Sequence, residues 1–235
     1  MKLSIIIPTY NENSTIADII RYVQSAKYPI DHELIIIDDA SIDRTYEKEM
    51  LIRIKNRREG KDIRLFKNKI NQGKSFSIRK GIRRSQGDLI VVQDGDMEYD
   101  PNDISKLLEP LLMGEADVVC GSRFLNAKHP RGMTLLSWLA NKFLTRLTNF
   151  LYGLSLTDME GGYKIFRAEL LKRLKLRANR FEFDPEVIAL LARKGARIVE
   201  RPISYQARTV KEGKKIKAID FFIAVITLIR CLFQR

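Results

Sequence analysis

Leu89-Ile90-Val91-Val92-Gln93-Asp94-Gly95-Asp96 decides the reading of this chain. Its four leading apolar residues predict a strand buried on both faces. That strand delivers two carboxylates, one residue apart, to its carboxyl end. In an open α/β sheet, ligands bind in the crevice beyond the carboxyl ends of the strands. Side chains alternate along extended backbone, so Asp94 and Asp96 are expected on the same side. Hard oxygen donors so spaced suit Mg2+ or Mn2+. A solvated Asp-Gly turn is the plainer alternative, and the surrounding sequence must choose between them.

Outward from that strand, similar apolar runs recur between helical patterns. Leu3-Ser4-Ile5-Ile6-Ile7, Leu34-Ile35-Ile36-Ile37 and Ile63-Arg64-Leu65-Phe66 precede it. Asp117-Val118-Val119-Cys120, Tyr163-Lys164-Ile165-Phe166 and Ile198-Val199-Glu200-Arg201 follow. The intervening patterns predict helices over residues 14–26, 45–58 and 74–85, then one opened by Asp100-Pro101, where proline fits the first turn. Further helices are predicted over 133–152 and over 184–194, the latter closed by Gly195. Continuous apolar strands separated by helices imply an α/β fold with a mainly parallel, Rossmann-like sheet covered on both faces. The helix over 133–152 carries Leu135, Leu136, Leu139, Phe143, Leu147 and Phe150 on a broad face. Core packing is the expected use of that face, with a lipid-facing groove as the alternative.

The 235 residues suit one domain with a substantial core, and 45% hydrophobic with 30% charged residues excludes a disordered chain. We expect a catalytic domain over residues 1–217 and an amphipathic, interfacial helix over 218–235. Two histidines leave almost no material for a zinc site or a histidine triad. Cys120 and Cys231 form no framework, which points to a reducing compartment. Met1-Lys2 leads straight into a strand, so no leader peptide is expected. No stretch reaches the roughly 20 apolar residues that span a bilayer. The net charge of +13 calls for an anionic partner: nucleic acid, anionic lipid or a phosphorylated substrate. A nucleic-acid module is disfavoured. The chain has no arginine-rich recognition helix or aromatic RNA-binding strand, and a carboxylate-lined crevice repels a phosphate backbone.

Every strand of the first half ends in polar residues. These are Pro8-Thr9-Tyr10-Asn11-Glu12, Asp38-Asp39 with Asp43, Asn71-Gln72-Gly73-Lys74, and Asp94-Gly95-Asp96-Met97-Glu98. Carboxylates gathered at one sheet edge repel unless something binds between them. A cation, or the donors of a nucleobase and ribose, would satisfy them. Gly73-Lys74 at a helix start is expected to meet phosphate through backbone N–H groups, although no P-loop or Gly-x-Gly-x-x-Gly spacing is present.

Together these segments resemble the inverting family-2 glycosyltransferases of the GT-A fold. Gly121-Ser122-Arg123, Thr157-Asp158 with Gly162-Tyr163-Lys164, Phe181-Glu182-Phe183-Asp184-Pro185-Glu186 and Glu200-Arg201-Pro202-Ile203-Ser204-Tyr205 continue the match. With Arg208 and Glu212-Gly213-Lys214-Lys215-Ile216 they narrow it to the dolichyl-phosphate mannose synthase-like branch. The resemblance implies a single GT-A domain that moves one sugar from a GDP- or UDP-linked donor to a polyprenyl phosphate. By position, Pro8, Tyr10, Glu12, Asp39, Lys74, Gln93 and Asp94 would hold the nucleotide-sugar. Asp94, Asp96 and Glu98 would hold Mg2+ or Mn2+. Arg123, Arg131, Arg208, Lys214 and Lys215 would take the acceptor phosphate, and Asp94, Asp96, Arg123 and Asp158 would form the catalytic set. A phosphate monoester is already largely dianionic at neutral pH, so such a reaction needs no base. A saccharide or other hydroxyl acceptor would need one, and Asp158 is then the expected carboxylate. The acceptor's hydrocarbon tail needs an apolar path beside a basic rim, for which helix 133–152 and segment 221–233 are the candidates. The resemblance further implies peripheral attachment at the cytoplasmic face of an anionic membrane.

Overall fold

A single seven-stranded sheet, in the order β3-β2-β1-β4-β6-β5-β7, organises the chain. The computed structural model describes residues 1–59, 63–127, 129–130, 132–206 and 218–234. The strands are β1 (Lys2–Thr9), β2 (Asp31–Asp38), β3 (Ile63–Lys67), β4 (Leu89–Val92), β5 (Val118–Ser122), β6 (Lys164–Arg167) and β7 (Ile198–Pro202). β1 pairs in parallel with β2 and β4, β2 with β3, and β5 with β7. β6 runs antiparallel between β4 and β5. The mainly parallel sheet thus holds, with one reversed strand.

Helices α1 (Ile16–Ser25), α2 (Thr45–Arg58), α3 (Lys74–Arg84) and α4 (Asp103–Leu112) link the first strands. Pro101 lies in the turn before α4 rather than in its first helical turn. α5 (Leu135–Tyr152) follows β5, and a short α6 (Ala168–Lys172), which the sequence pattern did not suggest, follows β6. α7 (Phe183–Arg193) and α8 (Ala218–Phe233) complete the chain. Two apolar clusters cover the sheet's faces. One gathers Ile6, Ile35, Ile90 and Phe166 with α3 and α7. The other gathers Ile5, Ile36, Val91 and Ile165 with α1 and α4. Alternate residues of each central strand go to opposite clusters, as a strand buried on both faces requires.

The expectation for helix 133–152 is corrected. α5 buries Asn141, Leu144, Thr145 and Thr148, while Leu135, Leu136, Leu139, Phe143 and Phe150 are exposed. Its inward face combines side-chain hydrogen bonds with packing of Leu144, Leu147 and Leu151 on the core, so only part of the expected apolar face is used there. The Thr145 hydroxyl donates to the side-chain Oδ1 of Asn141 at 2.9 Å, and Asn149 Nδ2 donates to the Leu156 backbone carbonyl at 2.8 Å. α8 packs against α5 and α7. Among the described residues no helix is long and apolar enough to cross a membrane.

Candidate active site

The carboxyl ends of β1, β2 and β4 open on one cavity of about 750 Å3, a size suited to a small-molecule ligand. Pro8, Tyr10, Glu12, Asp39, Lys74, Asp94, Asp96 and Glu98 all line it. Residues from three strand ends and the start of α3 therefore meet as the polar endings predict.

β4 stops at Val92, so the two carboxylates arrive on the bend beyond it and not on extended strand. Asp96 is buried, and its Oδ1 accepts from the Glu98 amide at 3.1 Å. The Thr15 hydroxyl donates to the Gly95 carbonyl at 2.9 Å, pinning this bend to the segment after β1. Lys74 Nζ lies 2.6 Å from Asp94 Oδ1. Burial opposes the Lys74 charge, but the Asp94 and Asp184 carboxylates outweigh it and raise its pKa above the ordinary lysine value. Among the described residues no three carboxylate, imidazole or thiol groups converge into a metal cage. Glu98 lines the cavity without completing such a group with Asp94 and Asp96.

Asp39 holds the loop ahead of α3. Its oxygens accept from Asn68 Nδ2 at 2.6 Å, the Gln72 amide at 3.0 Å and the Gly73 amide at 2.7 Å. The Gln72 amide also reaches the second oxygen at 3.2 Å, so the roughly four acceptor positions of this carboxylate are engaged within the protein. Gly73 has φ +96°, and a Cβ there would stand 2.3 Å from the Asn179 carbonyl oxygen, so only glycine fits. The start of α3 corrects an expectation. The Gly73 amide is taken by Asp39, and the Ser75 and Phe76 amides donate to the carbonyls of Arg180 and Asn179. The Gly73, Ser75 and Phe76 amides are thus spent on Asp39 and on the protein's own backbone, so these three N–H groups do not form a phosphate cradle.

Gln93 is also corrected. It is fully buried and absent from the cavity lining. Its Oε1 accepts from the Tyr163 hydroxyl and its Nε2 donates to the Asp94 carbonyl at 3.1 Å. It props the Asp94 bend from below. Arg123 and Asp158 likewise form no part of the cavity wall. Asp158 is 0% exposed. Its Oδ2 accepts from Arg123 Nε at 2.7 Å and from the Arg123 amide at 3.0 Å. Its Oδ1 accepts from Arg123 Nη2 at 2.8 Å and from Asn141 Nδ2 at 2.7 Å. The Arg123 guanidinium also lies over the Tyr205 ring, 5.1 Å from its centre. Burial pushes the Asp158 carboxyl up, but Arg123 and these hydrogen bonds prevail and hold it below the ordinary carboxylate range. Both groups are occupied with each other. Arg131, Arg208, Lys214 and Lys215 lie outside the described residues.

The sequence reading passed over Arg180, which lines the cavity and pairs with Asp220 of α8 at 3.2 Å. Its position beside Phe181-Glu182-Phe183-Asp184 was the available signal. It also passed over Glu160, whose carboxyl is pushed up to about 7 by burial, with the Asp184 charge adding to the shift. Glu160 Oε1 is enclosed without a hydrogen-bond partner.

Under the ends of β1 and β2, Thr9 donates to Glu49 Oε1 at 2.7 Å. Burial pushes the Glu49 carboxyl up to about 8, against that hydrogen bond and with help from the Asp38 charge. Glu49 Oε2 and Asp38 Oδ2 are both enclosed without a partner. The folded chain therefore keeps a proton on Glu49 that the unfolded chain releases near 4.5. This contribution to stability is complete below pH 4.5 and is lost as pH rises through about 8. Glu49→Gln, which carries no titrating proton, is expected to flatten the fall of stability between pH 5 and 8 by about 1.4 kcal/mol per pH unit. Urea unfolding across that range measures it, and an unchanged slope would contradict the protonated Glu49.

Comparison with known proteins places this geometry. The family model for Glycosyl transferase family 2 matches residues 4–175. A dodecaprenyl-phosphate galacturonate synthase of Rhizobium johnstonii is 32% identical over 213 residues, which cover 88% of this chain and 60% of that protein. A dolichol-phosphate mannosyltransferase of Pyrococcus furiosus is 28% identical over 221 residues, covering 91% of this chain and 59% of its own. The chain thus spans about 60% of the length of these two relatives. Glucosyl-3-phosphoglycerate synthase from Mycobacterium tuberculosis, solved with Mn2+, uridine diphosphate and phosphoglyceric acid, superposes with a TM-score of 0.73 at 19% identity. That match covers 100% of this chain and 79% of the mycobacterial one, and it shows a shared GT-A-like fold. With its matched span running from β1 past β6, and the strand-end carboxylates on one cavity wall, the chain belongs to glycosyl transferase family 2.

Proposed function

We propose that this chain transfers a single sugar, with inversion, from a UDP- or GDP-linked donor to a polyprenyl phosphate at the cytoplasmic face of a membrane. The observation that carries this reading is the cavity itself, where Asp94, Asp96, Glu12, Asp39 and Lys74 line one space of about 750 Å3. Asp39, Pro8 and Tyr10 line the wall on which the donor's nucleoside would rest. Asp94 and Asp96 are hard oxygen donors at the cavity, which fits Mg2+ or Mn2+. Such cations take one or two carboxylates and complete their shell with water and substrate phosphate oxygens, so the lack of a third gathered side chain among the described residues is no obstacle. When bound, the cation screens the donor diphosphate and stabilises it as a leaving group. Lys74 adds a fixed positive charge to the same wall.

The acceptor side needs no base, because the phosphate attacks as an anion. Arg208 with Lys214 or Lys215 would hold it, and Arg131 is a further candidate. Arg123 is better read as a buried support, since its fork is already filled by Asp158. The relatives bear the names of a galacturonate and a mannose transferase, so family membership leaves the sugar open. The test is a panel of labelled nucleotide-sugars incubated with polyprenyl phosphate and Mn2+. One donor is expected to carry label into the organic phase, and EDTA to abolish it. Transfer that persists in EDTA would refute the cation's role.

A further inference from the structure

The loops that bring Tyr10, Glu12 and Asp39 to the cavity are tied to each other by their own polar groups. The Asp39 amide donates to the Thr9 carbonyl at 2.8 Å, and the Asn11 amide donates to Ser41 Oγ at 3.0 Å. Asn11 Oδ1 accepts in turn from the Ile42 amide at 3.0 Å. Two non-glycine residues of these loops hold left-handed backbone, Asn11 at φ +52° and Ala40 at φ +59°. Residues in that region persist only where their surroundings fix them.

The support lies beneath them. Thr9 and Asp38 are register partners at the ends of β1 and β2. They continue the alternation of Ile5-Ile7 and Leu34-Ile36 onto one sheet face, where Ile52 of α2 also packs. Glu49 shares the inward stripe of α2 with Thr45, Ile52 and Asn56. Its Oε1 accepts from the Thr9 hydroxyl at 2.7 Å, while Asp38 Oδ1 accepts from the Ser41 amide at 3.1 Å. The second oxygens, Glu49 Oε2 and Asp38 Oδ2, are enclosed without a partner, and both residues are 0% exposed. Two carboxylates so enclosed repel, since like charges sharing a buried site cannot both ionise cheaply. One proton between them replaces the repulsion with a charge-assisted hydrogen bond and satisfies both oxygens at once.

We infer that Glu49, kept as the acid, is a positioning residue that sets the two nucleotide-binding loops by sharing one proton with Asp38. This rests on the donor-site reading proposed above. Glu49 is absent from the cavity wall and acts through Thr9 and Asp38. Burial pushes its carboxyl up to about 8, so the shared proton is held at neutral pH. Two other charged groups face it: Asp43 from the loop ahead of α2, which helps keep the proton, and Lys67 of β3, which opposes it. Loss of the proton drives the ends of β1 and β2 apart at Thr9 and Asp38 and frees the left-handed residues above them.

The experiment is calorimetry of UDP and GDP binding to the full chain with Mg2+ between pH 6.5 and 9, with circular dichroism confirming the fold at each pH. Only the protonated fraction keeps the loops in place, so the wild-type Kd is expected to rise about tenfold from pH 7 to pH 9. Glu49→Gln supplies an N–H to Asp38 at every pH and is expected to match the wild type at pH 7 without that rise. The ratio of the two Kd values removes the nucleotide's own titration. Asp38→Asn, which supplies the N–H from the other side, is expected to behave as Glu49→Gln does and serves if that variant folds poorly. Glu49→Ala is expected to bind weakly throughout, with KM for the donor moving more than kcat. A ratio that stays constant from pH 7 to pH 9 would overturn the inference, even if the variants change Tm, because Glu49 would then be structural only. Nucleotide binding with a constant ratio rejects Glu49 as a positioning residue and keeps the donor site. Failure of the wild type to bind either nucleotide at any pH rejects both.

Discussion

Asp96→Ala is expected to abolish sugar transfer and, with it, the dependence of nucleotide binding on a divalent cation. Asp96 sits on the bend after β4, buried at 7% exposure but on the cavity wall. Asp94 cannot easily substitute, because one of its oxygens already meets Lys74 at 2.6 Å. A cation stabilising a leaving diphosphate contributes several kcal/mol at the transition state, and each 1.36 kcal/mol is a factor of ten in rate. Losing its main protein anchor should therefore cost about a thousandfold in turnover. Calorimetry of nucleotide binding with and without Mn2+ separates this from a folding defect. Wild-type turnover in the variant at ordinary Mn2+ concentrations would contradict the assignment.

Asp158→Asn is expected to act on stability first. The Arg123 guanidinium is enclosed, and Asp158 supplies both acceptors for its fork. An amide in that place leaves the charge without its counter-ion and turns one N–H donor toward others. Breaking a buried pair by removing one partner costs about 3–5 kcal/mol. At roughly 2–4 °C per kcal/mol for a chain of this size, Tm should fall by about 6–20 °C. Adding Arg123→Met, which removes the orphaned charge, is expected to restore part of the loss. If Asp158 were instead a general base, the single variant would keep its Tm and its donor affinity while losing transfer. Thermal scans with a nucleotide-binding assay distinguish the two.

Much of the fold was legible because its strands are buried on both faces. Runs such as Ile35-Ile36-Ile37 and Leu89-Ile90-Val91-Val92 have no other comfortable place. Polar residues at their ends then mark the cavity, and eight of the expected donor-site and cation-site residues line it. The reversed direction of β6 was not legible, since an apolar run reads the same in either orientation. The exposed face of α5 was hidden for a similar reason: Leu136, Phe143 and Phe150 carry the pattern of a core helix whether the partner is protein or lipid. Long-range pairings escaped altogether. Asp158 and Arg123 are 35 residues apart, and the carbonyl of Arg180 that captures the Ser75 amide at the start of α3 is 105 residues from it. No local spacing announces either contact, yet they tie Arg123 to Asp158 and take the Ser75 amide away from any ligand.

The most direct test of the account compares polyprenyl phosphate with the unphosphorylated polyprenol as acceptors, under Mn2+ and with the donor that the enzyme turns over. Label should pass to the phosphate alone, as a sugar phosphate of inverted configuration, because a phosphate attacks as an anion and needs no base. Equal transfer to polyprenol would contradict this. It would move the reaction to hydroxyl acceptors and make Glu160, with its carboxyl at about 7, the base to examine.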